Sequence, residues 1–338
     1  MSSSRFSDLS AWTAAQHGLR SDEIRLAPAG GDASFRRYFR LTLPNGATQM
    51  VMDAPPAQED SAPFLAIARR WHAANLPVPQ VHAADLDAGF LLLDDLGDTP
   101  LQARFGDSAT TLPYLHRAMA LIAALQNRAS PEALPAYDAA LLGRELDLFP
   151  EWCLTRFLDL PTPPEWPALR QALIDAALEQ RVVSVHRDFD AMNLMVKGDH
   201  LYMIDFQDAV AGPLSYDVIS LLSGRYRRFD AATYAALVEH FYREARRDGR
   251  LTGTLSAEAF LTQCHAMAAQ RSLKVLGIFC RLTLRDGKHG YLERLPHFLD
   301  HLTDSLAALP AHANFMNWLE TQLRPVLTAR LSALEIAE

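Results

Sequence analysis

The sequence predicts an α+β fold in two lobes: a small lobe built on an antiparallel sheet, residues 1–95, and a larger helical lobe, residues 96–338. Three observations predict it. Period-two alternation and strong turn signals fill the first hundred residues, and helical periodicity dominates after Gly97. The 338 residues also exceed the roughly 100–200 of a single domain.

Ser7 to Gly18 reads as a short helix with Ser7 as N-cap and Gly18 as stop. Ile24-Arg25-Leu26 leads into a small-residue loop, Ala29-Gly30-Gly31-Asp32-Ala33-Ser34. From Phe35 to Leu43 the side chains alternate, with Arg36, Tyr38, Arg40 and Thr42 on one face and Arg37, Phe39, Leu41 and Leu43 on the other. Pro44-Asn45-Gly46 is a turn signal, and Gln49 to Asp53 is the return strand. Phe64, Ile67, Ala68 and Trp71 then fall at helical spacing and give one apolar stripe. Leu76-Pro77-Val78-Pro79 breaks that helix and starts an extended segment through Val81. After a turn at Asp87-Ala88-Gly89, Phe90 to Leu93 is a buried strand that ends in Asp94-Asp95-Leu96-Gly97.

Beyond Gly97, helices are expected from Leu112 to Leu125, Leu169 to Leu178, Tyr234 to Arg246, Phe260 to Leu276 and Leu295 to Leu309. Pro161, Pro163, Pro164 and Pro167 mark an irregular connection. Val182 to Val185 and Leu201 to Ile204 are short β-rich pieces flanking a polar loop.

Composition excludes several classes. Lys and Arg total 32 against 40 Asp and Glu, a net charge of −8, which argues against a nucleic-acid coat but leaves room for a small anion in a local basic pocket. Cys153, Cys264 and Cys280 form no CxxC and lie at no zinc-ligand spacing, so buried reduced thiols are expected. The N-terminus shows no apolar signal core, and the longest apolar run, Ala118 to Leu125, is far short of the ~20 residues of a membrane span. A cytoplasmic protein without membrane or nucleic-acid partners is expected.

The chemistry is concentrated in His186-Arg187-Asp188-Phe189-Asp190-Ala191-Met192-Asn193, followed by Met203-Ile204-Asp205-Phe206. Phosphoryl transfer from a nucleotide needs a carboxylate to orient and deprotonate the acceptor hydroxyl, and oxygen ligands to hold Mg²⁺ against the phosphates. An aspartate, an asparagine five residues on and an aspartate after the next strand supply all three. HRDxxxxN followed by xxDF matches the kinase catalytic and metal-binding pattern.

With these motifs the sequence resembles the aminoglycoside phosphotransferase family, small-molecule kinases of protein-kinase-like bilobal fold, over nearly its whole length. Gly212-Pro213 with Tyr216-Asp217 is similar to the element that follows the metal-binding segment in that family. Gly30 to Tyr38, Met52-Asp53-Ala54-Pro55-Pro56 and Leu92 to Gly97 resemble its bacterial cell-wall sugar kinases, which phosphorylate N-acetylmuramate and N-acetylglucosamine at the anomeric hydroxyl. The resemblance implies ATP and Mg²⁺ as cofactors, a small-molecule sugar acceptor and a sugar 1-phosphate product. It implies Asp188 as catalytic base and Asn193 and Asp205 as magnesium ligands. Gly30, Gly31 and Ser34 would form the loop over the phosphates, while Asp94 and Leu96 would pair with adenine through their backbone. Asp217 would tie down the catalytic loop.

One departure stands out. Kinases place a lysine on the third strand for the nucleotide phosphates, yet Gln49-Met50-Val51-Met52-Asp53 has none, and Met52 occupies its expected place. Either another cation substitutes or phosphoryl transfer has been lost. Arg36 is the first candidate, with Glu59 as its anchor, and Arg37 the second. For the acceptor, Glu145, Trp152, Asp190, Arg271, Lys274 and Arg281 are candidates, since an aromatic face suits a sugar ring and a cation suits the lactyl carboxylate of N-acetylmuramate. The alternatives are a kinase of another acceptor (an aminoglycoside, choline or a thiosugar), a silent nucleotide-binding module, or a protein kinase, against which Gln207-Asp208 after Phe206 and the lack of an APE-type segment argue.

Overall fold

In the computed structural model, which describes residues 3–31 and 35–335, the chain opens with α1 (Ser3–Ala15). The stop at Gly18 is as expected: Gly18 takes a positive φ of 66° and the Leu19 amide bonds back to Ala14 O at 3.0 Å. The start lies a turn earlier than the sequence suggests. Tertiary contacts explain this, because Arg5 donates to Asp53 Oδ1 and to Ala88 O, and Phe6 packs against Phe39 with ring centroids 5.5 Å apart.

Strands β1 (Arg25–Gly31), β2 (Arg37–Thr42) and β3 (Thr48–Asp53) precede helix α2 (Ala62–Ala73), and β4 (Val81–Asp85) and β5 (Phe90–Asp94) follow it. They form one five-stranded antiparallel sheet in the order β1-β2-β3-β5-β4. The predicted alternation on β2 is realised, since Phe39 and Leu41 join Leu9, Val51, Phe90 and Leu92 in a core under α1. β1 runs further than expected and takes in Gly30 and Gly31, with a register irregularity between Pro28 and Gly31. The apolar stripe of α2, including Phe64, Ile67, Ala68 and Trp71, is buried as predicted.

The chain continues through α3 (Ser108–Arg128), α4 (Ala139–Leu146), a π-helical segment (Phe149–Leu158) and α5 (Trp166–Leu178), whose first turn holds Pro167 where its missing N–H costs nothing. Then come β6 (Val182–Val185), β7 (Leu194–Lys197), β8 (His200–Met203) and β9 (Val210–Pro213). The two β-rich pieces read from sequence do not pair with each other. Instead β6 pairs with β9 and β7 with β8, both antiparallel. Helices α6 (Tyr216–Leu222), α7 (Ala231–Arg247), α8 (Ala257–Leu284), α9 (Leu295–Ala307), α10 (Ala313–Trp318) and α11 (Arg324–Glu335) complete the chain.

By backbone proximity the chain divides into two units, Met1–Tyr114 with Met192–Asp208, and Leu115–Ala191 with Ala209–Glu338. The sequence reading draws a single line after residue 95. In the structure the β7–β8 hairpin groups with the first unit because its backbone is bonded there: the Val196 amide donates to Thr99 O at 2.8 Å and the Met203 amide to Pro77 O at 2.9 Å. The second unit is organised on α8, whose 28 residues are almost continuously buried from Ala266 to Gly277. Cys153, Cys264 and Cys280 are free and buried. Among the described residues no helix is long and apolar enough to cross a membrane.

Candidate active site

Asp188 sits on a short loop leaving β6, in the second unit. Asp217, in the first turn of α6, holds that loop by accepting the backbone N–H groups of His186 at 2.8 Å and Arg187 at 3.0 Å. Arg187 takes a φ of +75°, a conformation that a side chain makes costly and that surrounding bonds must enforce. Burial pushes the Asp217 carboxyl up to about 7, against the pull of the two amides that favour its charge. The Asp190 amide bonds to Asp188 O at 2.8 Å and tightens the turn. The fully buried Asp190 carboxylate faces Arg225 at 3.6 Å and Arg271 at 4.0 Å.

A buried polar cluster supports the loop. Glu145 Oε1 pairs with Arg187 at 2.5 Å and with Lys274 at 3.0 Å, while Glu145 Oε2 accepts the Tyr137 hydroxyl. Lys274 also donates to the Tyr216 hydroxyl at 3.1 Å. Burial alone would raise the Glu145 carboxyl, but the charges of Lys274 and Arg187 overcome it and hold the group at about 2. Two cations therefore share one carboxylate directly behind the loop that carries Asp188, and Asp188 is a further anion whose field reaches Lys274.

Asn193 and Asp205 both belong to the first unit, where the Ile204 amide donates to Asn193 O at 3.0 Å and so ties together the segments that carry them. Asp205 has a φ of +63° and its Oδ1 accepts from Gln207 at 2.8 Å. Phe206 is buried and stacks on Phe64, centroids 4.9 Å apart, which fixes the strand end that bears Asp205 against α2. A carboxylate and an amide oxygen are hard donors that fit Mg²⁺, an ion that keeps several waters and leans on one or two protein carboxylates plus substrate phosphates. No group of three His, Cys, Asp or Glu side chains converges among the described residues.

Of the residues expected around a nucleotide, Gly30 has a φ of +63°, a conformation that favours glycine, and among the described residues nothing lies within 4 Å of where a Cβ would stand. Gly31 pairs with Arg37 at the end of β1, and Ser34 lies outside the described residues. Met52 is fully buried in β3, in register with Tyr38 and Leu91. Arg36 is buried, pairs with Glu59 at 2.8 Å and lies 5.9 Å from the centre of the Phe64 ring. Arg37 is bound to Asp53, which Arg5 also holds. Asp94 ends β5, its amide donating to Gln80 O at 3.1 Å and its carboxylate accepting from the Gln80 amide at 3.0 Å. Leu96 is buried, and the segment around it is anchored by Lys197 on Asp95 O at 2.8 Å and by Arg40 on Asp95 and Asp98.

Residues 25–251 match the model of the phosphotransferase enzyme family (APH). The chain belongs to this family. It is 40% identical over 290 residues to the N-acetylmuramate/N-acetylglucosamine kinase of Pseudomonas aeruginosa, covering 84% of this chain and 85% of that protein. A protein of the same name from Neisseria meningitidis is 38% identical over 290 residues, covering 83% and 85%. Among solved structures, a Plasmodium vivax ethanolamine kinase matches with a TM-score of 0.63 over 84% of this chain and 83% of that one, at 10% identity, a likeness of fold. The bilobal, protein-kinase-like α+β fold read from the sequence is thus that of the phosphotransferase family.

Within this phosphotransferase, the acceptor candidates divide. Glu145 and Asp190 are buried and engaged by cations, as described above. Trp152 is half-buried on the π-helical segment with the Arg156 guanidinium 4.4 Å from its ring centre, and Arg281 is half-buried on α8. Sequence reasoning passed over Tyr137 and Gln270, and it reads the run Arg225-Tyr226-Arg227-Arg228 as a solvated helix end, whereas Arg225 faces the buried Asp190 carboxylate. For Gln270 the available signal was its helical spacing to Lys274 and Arg281 on one face of α8.

Proposed function

We propose that this phosphotransferase is an ATP-dependent sugar kinase that transfers the γ-phosphoryl group to the anomeric hydroxyl of N-acetylmuramate and N-acetylglucosamine. The likeness to the Pseudomonas aeruginosa kinase, extending over 84% of the chain, carries this reading. The product is a sugar 1-phosphate, suited to recovery of cell-wall sugars in the cytoplasm. Residues 1–95 serve as the nucleotide-binding lobe and residues 96–338 as the lobe of catalytic loop and acceptor.

Asp188 orients the acceptor hydroxyl and takes its proton. The anomeric hydroxyl is more acidic than an ordinary alcohol, so modest base assistance suffices. Asn193 and Asp205 would hold Mg²⁺, which would supply charge neutralisation for the transferring group. Gly30, Gly31 and Ser34 cover the phosphates, and the backbone at Asp94 and Leu96 receives adenine. Arg36, buried on Glu59, supplies the cation that β3 lacks. Its guanidinium rests over Phe64, which stacks on Phe206 beside Asp205, so Arg36 and Asp205 belong to one packed group of the first unit.

The test is Mg²⁺-dependent ADP release with N-acetylmuramate, N-acetylglucosamine, kanamycin and choline as acceptors, with Asp188→Asn as the comparison. Release with the two sugars, and a loss of roughly 10²–10⁴ in the variant, is expected. Release with kanamycin or choline alone would overturn the acceptor. ATP binding without release on any acceptor would point to a silent nucleotide-binding module.

A further inference from the structure

α8 carries a line of polar residues through an otherwise buried helix. Gln270 lies 3.4 Å from Glu145 Oε2, and Lys274 reaches Glu145 Oε1 at 3.0 Å. One turn on, Gly277 has no side chain because a Cβ there would stand 2.4 Å from the backbone of Leu148. The glycine lets α8 lie directly against the turn that opens the π-helical segment. Arg281 is the next residue of this line, a heptad beyond Lys274, hence on the same face and about 10 Å further along the axis.

Arg281 differs from the other members. Its Nε is buried and meets no hydrogen-bond acceptor, and its guanidinium forms no ion pair among the described residues. The carboxylates whose fields reach it are Glu151 and Asp286, and both are already bonded, Glu151 to Arg156 at 3.4 Å and Asp286 to Arg285 at 2.7 Å. Arg285 adds a second positive charge nearby. A half-buried guanidinium whose Nε meets no acceptor is costly to the free protein, and an incoming carboxylate offsets that cost with a charge-assisted, bidentate contact.

Resting on the acceptor reading above, we propose that Arg281 is the specificity residue that receives the lactyl carboxylate of N-acetylmuramate. The two proposed acceptors differ by this group: N-acetylmuramate carries an ether-linked carboxylate on the sugar ring, and N-acetylglucosamine has a hydroxyl in its place. The Lys274–Glu145–Arg187 chain ties this face of α8 to the loop of Asp188, and Arg281 lies on the same face two turns beyond Lys274.

The experiment measures kcat/KM of wild type, Arg281→Gln and Arg281→Lys with each sugar at saturating ATP. In Arg281→Gln the ratio of N-acetylmuramate to N-acetylglucosamine efficiency is expected to fall about ten- to a hundredfold, chiefly through KM for N-acetylmuramate. Arg281→Lys should recover part of it. An equal loss on both sugars, or no change on either, overturns the proposal, because a structural role does not distinguish acceptors. Wild-type enzyme that phosphorylates neither sugar overturns the acceptor reading itself, before any variant is compared.

Discussion

Asp217 holds Arg187 in a left-handed backbone conformation: its Oδ1 accepts the Arg187 amide at 3.0 Å while Arg187 sits at a φ of +75°. The other oxygen accepts the His186 amide, so a single buried carboxylate sets the approach to Asp188. Removing it leaves buried donors without an acceptor, at about 1–3 kcal/mol each. Asp217→Ala should therefore lose about 2–5 kcal/mol of unfolding free energy in urea titrations, with a large fall in turnover. Asp217→Asn keeps one acceptor oxygen and should lose less. Equal stability of Asp217→Ala and wild type would refute the tether.

The Glu145 cluster makes a pH-dependent prediction. Its carboxyl is held at about 2 in the folded protein against an ordinary 4.5. A depressed folded value contributes stability that is fully present above about 4.5 and is lost as the pH falls through about 2. Thermal melts from pH 6 to pH 2 should show wild type losing stability faster than Glu145→Gln over that range. At pH 7 Glu145→Gln should be the less stable by about 3–5 kcal/mol, since Arg187 and Lys274 are left buried without their carboxylate. Parallel pH profiles would contradict the assignment.

Arg36 and Glu59 predict a nucleotide phenotype. Arg36→Met should raise KM for ATP about ten- to a hundredfold, the worth of a charge-assisted contact to phosphate. Arg36→Lys should recover part of the loss, and Glu59→Gln should move KM in the same direction by less. An unchanged KM for ATP in Arg36→Met would remove Arg36 from phosphate binding.

Much of this was legible in the sequence because the signals are local. The β2 alternation, the Gly18 stop and the α2 stripe each follow from spacing within a few residues, and the pairing of Arg36 with Glu59 follows from charge next to a motif. The start of α1 was not legible, since it depends on Arg5 meeting Asp53 and Ala88, far away in sequence. β7, β9 and α6 are four to seven residues long, too short for periodicity to distinguish them. The Glu145 cluster gathers side chains from α4, α6, α8 and the loop that carries Asp188, and no window of sequence contains it. The motif marked Asp188, Asn193 and Asp205 as a set, but the buried charge supporting Asp188 became visible only with the packing of α8.

The most direct test of the account is phosphorus NMR of the product formed from N-acetylmuramate, ATP and Mg²⁺ by the wild-type enzyme, with Asp188→Asn alongside. The account predicts a glycosyl 1-phosphate, identified by coupling of the phosphorus to the anomeric proton, formed by wild type and nearly absent with the variant. A phosphate on another hydroxyl, or equal product from Asp188→Asn, would contradict it.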